Sequence, residues 1–362
     1  MTTGIDSSGS KRRKTLILGG GLACALVVGF GLTAAAISFV SGTSDPSHVA
    51  VVPGTQVPTA SPYATLMQNP SSSASPTPSP TPTSSATPTP SPAASPSPSR
   101  PPLPALLAAI GDSYTQAYSV SPKYRYDHSQ FSWVVGTDAN DGVTSLLEHF
   151  RSLGASPTVV DAATSGRKMS DALRQAQVVV AAAAKLKPGT TAYVTFELGT
   201  NDLCDDPKTS ATTFTNELQT AIDTLATGLP GGSRLLIVPV PDFRHFRTIT
   251  QADPAARAAY TRAQFSRRCA PFLGTDSPLS IAQASAVLAS YDEALKAACD
   301  RLNAATGAVT GAANLSCTYD EGLTSDRDFG IRDLSTVDYF HPSLSGQAKM
   351  AAAAWKADAW GR

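Results

Sequence analysis

From residue 105 onward the chain predicts a three-layer α/β/α sandwich around a mostly parallel sheet. Apolar runs of strand length recur at Leu106 to Ile110, Thr158 to Val160, Ala192 to Phe196 and Leu235 to Val238. Each is followed by Gly, Asp, Ser or Pro and then by a longer segment with helical spacing. Such alternation favours parallel pairing with helices over both faces, and places ligand sites beyond the carboxyl ends of the strands.

The helical segments can be named in turn. Leu146, Leu147 and Phe150 follow the first strand at a distance, and Leu173, Ala176, Val180 and Ala184 follow the second. Phe214, Leu218, Ile222 and Leu225 follow the third, and Val287, Leu288, Tyr291 and Leu295 the fourth. A last helix, rich in Ala and running to Trp360, is expected to pack on the sheet.

Everything before residue 105 reads differently. The 362 residues would suffice for two or three domains, yet eleven of the 28 prolines fall between Pro76 and Pro102, which leaves one globular unit at 105–362. Lys11-Arg12-Arg13-Lys14 precedes an uncharged stretch from Thr15 to Val40 rich in Leu, Ile, Val and Phe. As a helix at about 1.5 Å per residue, 15–40 measures roughly 39 Å and spans the ~30 Å hydrocarbon core with tilt. No basic residue follows until Arg100. The positive-inside rule therefore expects residues 1–14 in the cytoplasm, 15–40 as a transmembrane signal anchor and the rest outside, a single-pass protein of the cell membrane. The competing reading is a secreted protein, cleaved near Ala34-Ala35-Ala36, although the apolar stretch is longer than the roughly 7 to 15 residues usual in a signal peptide.

Residues 41–104 are Ser, Thr, Pro and Ala with almost no charge, a composition that cannot bury enough surface to offset chain entropy. A disordered linker is expected. Its densest part, Ser75 to Pro102, favours polyproline II and would reach on the order of 90 Å if straight.

Charge excludes one class of partner. Lys+Arg and Asp+Glu both total 28, and from residue 105 onward 23 basic residues face 26 acidic ones. A nucleic-acid-binding domain needs a basic stripe against phosphates, and this one lacks the charge for it. A monomer is expected.

Cys204, Cys269, Cys299 and Cys317 all lie in the globular part, and none forms a CxxC. Four cysteines outside a cell allow three pairings. Cys204 with Cys269 and Cys299 with Cys317 are preferred because sequential pairs close the shorter loops. Four reduced thiols are the competing reading.

Polar clusters follow the strands. They are Gly111-Asp112-Ser113-Tyr114-Thr115, Ala162-Ala163-Thr164-Ser165-Gly166 and Gly199-Thr200-Asn201-Asp202, and near the end of the chain Asp338-Tyr339-Phe340-His341-Pro342 precedes the last helix. A nucleophilic serine needs a base, a group to orient the base, and donors for an oxyanion. Ser113 is the candidate nucleophile, at a strand-to-helix turn where Gly111 allows a sharp bend and a helix N-terminus adds positive potential. His341 is the candidate base, with Asp338 three residues earlier to fix its tautomer. The Ser113 and Gly166 N–H groups and the Asn201 amide are candidate oxyanion donors.

Ser113, Gly166, Asn201 and His341, in this order after successive strands, resemble the SGNH, or GDSL, hydrolase superfamily. Phe131-Ser132-Trp133, Glu197 to Cys204 and Asp338 to Ser343 are similar to its phospholipase-B-like branch, over roughly Ala108 to Trp355. The resemblance implies a three-layer α/β/α fold and hydrolysis of an ester, lipid or another acylated molecule, without cofactor or metal. Tyr114 departs from the usual Leu and is expected to alter the pocket wall, and the neighbours of Gly166 match loosely. The acyl pocket is expected from Tyr118 to Asn140 and Phe243 to Gly274.

Other clusters are set aside. His48 lies in the linker, and His128, His149 and His245 have no Asp three residues upstream. Asp138 to Gly142 is similar to a calcium loop, but its Gly is one place early and position twelve is His149. Asp202, Asp205 and Asp206 read as a loop capped before a helix, with Asp202 supporting the Asn201 loop. An acyltransferase or deacetylase acting on wall polysaccharide uses the same serine, and a non-catalytic surface module is the remaining class.

Overall fold

Five parallel strands form the sheet: β1 (Leu106–Gly111), β2 (Thr158–Asp161), β3 (Ala192–Glu197), β4 (Arg234–Ile237) and β5 (Ser316–Tyr319), in the order β2-β1-β3-β4-β5. The computed structural model describes residues 100–261, 269–273, 278–306, 315–322, 328–358 and 360–361. The predicted cytoplasmic segment 1–14, the membrane segment 15–40 and the linker from 41 to 99 lie outside the described residues. Among the described residues no helix is long and apolar enough to cross a membrane.

Every residue of β1 and β3 is buried. Because successive side chains of a strand point to opposite faces, full burial means cover on both sides, the condition parallel sheets require. The cover comes from α1 (Leu146–Ser152), α2 (Ala172–Ala183), α3 (Thr200–Cys204), α4 (Ala211–Gly228), α5 (Phe243–Ala252), α6 (Pro254–Tyr260), α7 (Ala270–Leu273), α8 (Pro278–Thr306) and α9 (Leu344–Ala357). α2, α4 and α8 pack side by side, and Phe214 of α4 stacks on Tyr291 of α8 with ring centroids 3.9 Å apart. α1 and α9 pack together, with Phe150 set edge-on to both Trp355 and Tyr193.

The four predicted strands are present, and β5 is an addition. Its sequence, Ser-Cys-Thr-Tyr, has no apolar run, and it earns its place as an edge strand through pairing with β4 from Arg234↔Ser316 to Ile237↔Tyr319. Two other expectations fail. No α-helix follows Ser113; the chain makes one tight turn, with Gln116 N–H donating to Asp112 O at 3.1 Å, before positive φ at Ala117 and Ser119 ends it. The last helix stops at Ala357 instead of Trp360, since extended backbone at Asp358 turns Trp360 onto Tyr193, where its indole N–H donates to the Pro101 carbonyl.

Both preferred cysteine pairs are bonded, Cys204 to Cys269 and Cys299 to Cys317. The second ties α8 to β5 and the first ties α3 to the start of α7. Cys299→Ser with Cys317→Ser opens a loop with a sequence separation of 18 and should remove about 3 kcal/mol, a fall in Tm of roughly 6 to 12 °C for a domain of this size. Cys204→Ser with Cys269→Ser opens one of 65 and should cost about 4 kcal/mol. Thermal unfolding of the two double variants checks both, and wild-type melting in either would refute the assigned role of that bridge.

Candidate active site

The strand order reverses direction between β1 and β3, and the crevice beyond their carboxyl ends is where a parallel sheet opens a site. Gly111 closes β1 opposite Glu197 of β3. Its backbone is not left-handed; Gly is needed because a Cβ there would lie 2.2 Å from Thr115 Oγ1 and 3.1 Å from the Glu197 carbonyl. Close approach, not the bend predicted from sequence, is therefore the reason for this glycine. Gln175 of α2 locks the same residue, accepting from Gly111 N–H at 2.8 Å and donating to its carbonyl at 3.0 Å. Ser113 then emerges two residues past the strand.

His341 reaches it from the other end of the domain. Its Nε2 lies 2.9 Å from Ser113 Oγ, and its Nδ1 lies 2.7 Å from Asp338 Oδ2. The second Asp338 oxygen accepts the Phe340 and His341 backbone N–H groups at 3.1 and 3.0 Å, so the three-residue spacing folds into one closed turn. Burial acts to raise the Asp338 carboxyl, but the His341 charge and these hydrogen bonds outweigh it and hold the group below its ordinary value. An ionised Asp338 fixes Nδ1 as the protonated nitrogen and leaves Nε2 to accept from the serine. Tyr114, which the sequence placed in the pocket wall, is fully buried behind it; its hydroxyl donates to Phe340 O at 2.8 Å and joins the serine turn to the histidine loop.

The donor side is built from β2 and β3. Ala162 N–H continues the ladder to Ala109 O, and Arg167 N–H donates to Thr164 O, closing a turn in which Gly166 takes φ +78°. Among the described residues the backbone N–H groups of Ser113 and Gly166 have no protein acceptor. Asn201 differs, because its Nδ2 donates both to Asp112 Oδ2 at 3.0 Å and to Arg167 O at 2.9 Å. The neutral carbonyl is the weaker of the two acceptors, so that hydrogen is the one a developing oxyanion could take over. Asp202 joins the two loops, accepting from Met169 N–H at 2.8 Å and from Thr209 Oγ1 at 2.6 Å. Gly199, at φ +128° and with Val240 Cγ2 only 2.5 Å from a built Cβ, sets the sharp entry into α3.

Ser113, Tyr118, Ser165, Gly166, Asn201, Phe340 and His341 line an open cleft of about 270 Å³. Among the described residues, the two loops expected to build an acyl pocket contribute only Tyr118 to this lining. Phe131 and Trp133 are buried in the core, while Phe243 stacks behind Phe340 with centroids 5.4 Å apart. A larger cavity of about 540 Å³ lies beyond β4 and β5, lined by Asp242, Arg244, His245, Asp292 and Lys296 among others. Among the described residues it contains no serine or cysteine beside a base, so its size does not make it the site. The other histidines among the described residues do structural work: His245 bonds Phe329 O, His149 stacks on Trp355, and His128 bonds Arg125 O. Sequence reading missed Gln175 and Glu197. Gln175 could have been found as a polar residue on the apolar face shared by Ala172, Ala176 and Val179.

The sequence model for GDSL-like Lipase/Acylhydrolase matches residues 107–354. No curated protein matches the chain. Among solved structures, TesA is similar at 16% identity over 70% of this chain and 97% of its own, with a TM-score of 0.38. The psychrotrophic esterase EstA from Pseudoalteromonas sp. is similar at 14% identity over 70% and 96%, with a TM-score of 0.37. A lipase/acylhydrolase from Enterococcus faecalis follows at 15% identity over 68% and 91%, with a TM-score of 0.38. The match of the family model across the sheet, the serine turn and the histidine loop leads to one conclusion: this chain belongs to the GDSL-like lipase and acylhydrolase family, and it is a hydrolase.

Proposed function

We propose that the chain is a serine ester hydrolase that acts outside the cell membrane through Ser113, His341 and Asp338. The observation that carries this reading is the run of contacts from Ser113 Oγ through both ring nitrogens of His341 to Asp338. Ser113 Oγ attacks the ester carbonyl while His341 Nε2 takes its proton, and Asp338 stabilises the imidazolium. The oxyanion accepts from the N–H groups of Ser113 and Gly166, and from Asn201 once its hydrogen leaves Arg167 O. The C–O bond breaks, His341 returns the proton to the departing alcohol, and Ser113 is left acylated. Water, deprotonated by His341, then releases the acid and restores the serine.

The cleft favours a short acyl group. Its volume of about 270 Å³ is small, below the roughly 300 to 1,000 Å³ typical of pockets that enclose a ligand. Tyr126, 71% exposed, stands edge-on to Tyr118 at the rim and offers surface to the alcohol part of a substrate. Phospholipase-B-like activity is the longer-chain alternative, in which the acyl tail lies along these tyrosines. Residues 15–40 would anchor the enzyme and 41–104 would hold it away from the bilayer.

Asn201→Ala should lower kcat by about 100 to 1,000-fold, and Asp338→Asn by about 1,000 to 10,000-fold, with both proteins folded by circular dichroism. Near-wild-type turnover in either removes that residue from the mechanism. With p-nitrophenyl esters from acetate to palmitate, kcat/KM should be highest for acetate or butyrate and vanish in Ser113→Ala. A rise toward palmitate would establish the lipolytic alternative. The full chain expressed in a bacterial host should stay in membranes washed with alkaline carbonate, and its release in processed form would establish cleavage.

A further inference from the structure

Two carboxyl groups lie in contact beneath the serine turn. Asp112 is fully buried and Glu197 nearly so, and their side chains hydrogen-bond each other. Asp112 Oδ1 accepts from Tyr114 N–H and Oδ2 from the Asn201 amide, both at 3.0 Å. Glu197 accepts from Thr115 Oγ1 at 3.0 Å and from the Asp112 backbone N–H. A hydrogen bond between two carboxyl groups requires a proton on one of them. Each Asp112 oxygen already accepts an N–H, which stabilises its anion, so the hydrogen sits on Glu197.

We propose that Glu197 is a positioning residue for the reaction above: the hydrogen it donates to Asp112 holds that carboxylate where it orients the Asn201 amide and the Ser113 turn. The proposal rests on the hydrolase reading of Ser113 and Asn201. Of the charged groups near the pair, Asp202 on α3 acts on Asp112 and is itself acidic. Asp338 and the phenol of Tyr260 act on Tyr114, two residues further along the turn. Thr115, Ser113 and Asn201 supply neutral hydrogen bonds, and Gln175 holds the neighbouring Gly111 peptide. Burial drives both carboxyl groups upward; Asp112 raises Glu197 further, whereas the hydrogen bond from Glu197 lowers Asp112.

The sign of the pH effect follows. A carboxyl raised in the folded state contributes stability that is whole below its unfolded value and is lost as pH rises through its folded one. Loss of the Glu197 proton puts two anions in contact and pushes Asp112 away from its place under Asn201. Activity should therefore fall on the alkaline side together with melting temperature.

Glu197→Gln replaces the titrating donor with an amide N–H that points to Asp112, while its carbonyl accepts from Thr115. In the full chain, with p-nitrophenyl acetate as probe, the alkaline limb of kcat/KM should move up by about one pH unit or more in this variant. Glu197→Leu, which leaves Asp112 short of a donor, should lose about tenfold or more in kcat with little change in KM. Thr115→Val removes a hydrogen bond that favours the Glu197 anion and should shift the limb in the same direction, which keeps the test open if the glutamine variant fails to fold. Infrared spectra near neutral pH should show a protonated carboxyl band in wild type that Glu197→Gln lacks. Superimposable alkaline limbs, or no such band, would overturn the proposal. If no ester turns over, the hydrolase reading fails on its own, and the infrared band and the pH dependence of melting still decide whether Glu197 holds the proton.

Discussion

Gln175 grips both the N–H and the carbonyl of Gly111, the last residue of β1, and the site is assembled outward from that grip. A strand end held this firmly can be followed by a turn that folds straight back onto β3. Thr115 fills the space a Cβ on Gly111 would take, and its hydroxyl bonds the Glu197 side chain. Asp112 is thereby pressed against β3 and meets the Asn201 amide, two loops away in sequence and adjacent in space. The geometry of the candidate site is thus a product of packing at one strand end, where a single methyl group is too much.

The groups proposed to react are tied to one another more than to the solvent. Ser113, His341 and Asp338 are all buried although they border an open cleft. Tyr114 and Tyr260 donate from below to the carbonyls of Phe340 and Tyr339, and Gln347 of α9 donates to the carbonyl of Tyr114. Hydrogen bonds in such surroundings are stronger than in water and lose little to reorganisation when charge develops. Polar residues that look out of place on apolar faces supply much of this framework.

What could be read from the sequence follows from the kind of signal each part leaves. Strands β1, β3 and β4 are apolar runs because both faces are covered, and a covered strand announces itself. β5 is a short edge strand with Ser, Cys, Thr and Tyr, and no local pattern marks it. Ser113, Gly166, Asn201, Asp338 and His341 stood out because each lies just past a strand or just before a helix, where polar clusters interrupt apolar ones. The pocket walls were not legible: Tyr124, Phe131 and Trp133 are aromatic in the same way whether they face a ligand or a core. Glu197 and Tyr114 belong to the same difficulty, since their partners lie 85 and 226 positions away, at Asp112 and Phe340.

The proposed base, His341, comes late in the chain, 228 positions after Ser113, with Asp338 three residues before it. They sit on a short loop closed by a bridge between Leu334 and Pro342, with the Ser335 N–H bonded to the His341 carbonyl. All five strands are complete before this loop begins. A protease that clipped the chain near Leu334 would break the covalent link between the strands and the proposed base while leaving the described strands on one piece, so an intact sheet would not by itself report an intact candidate site.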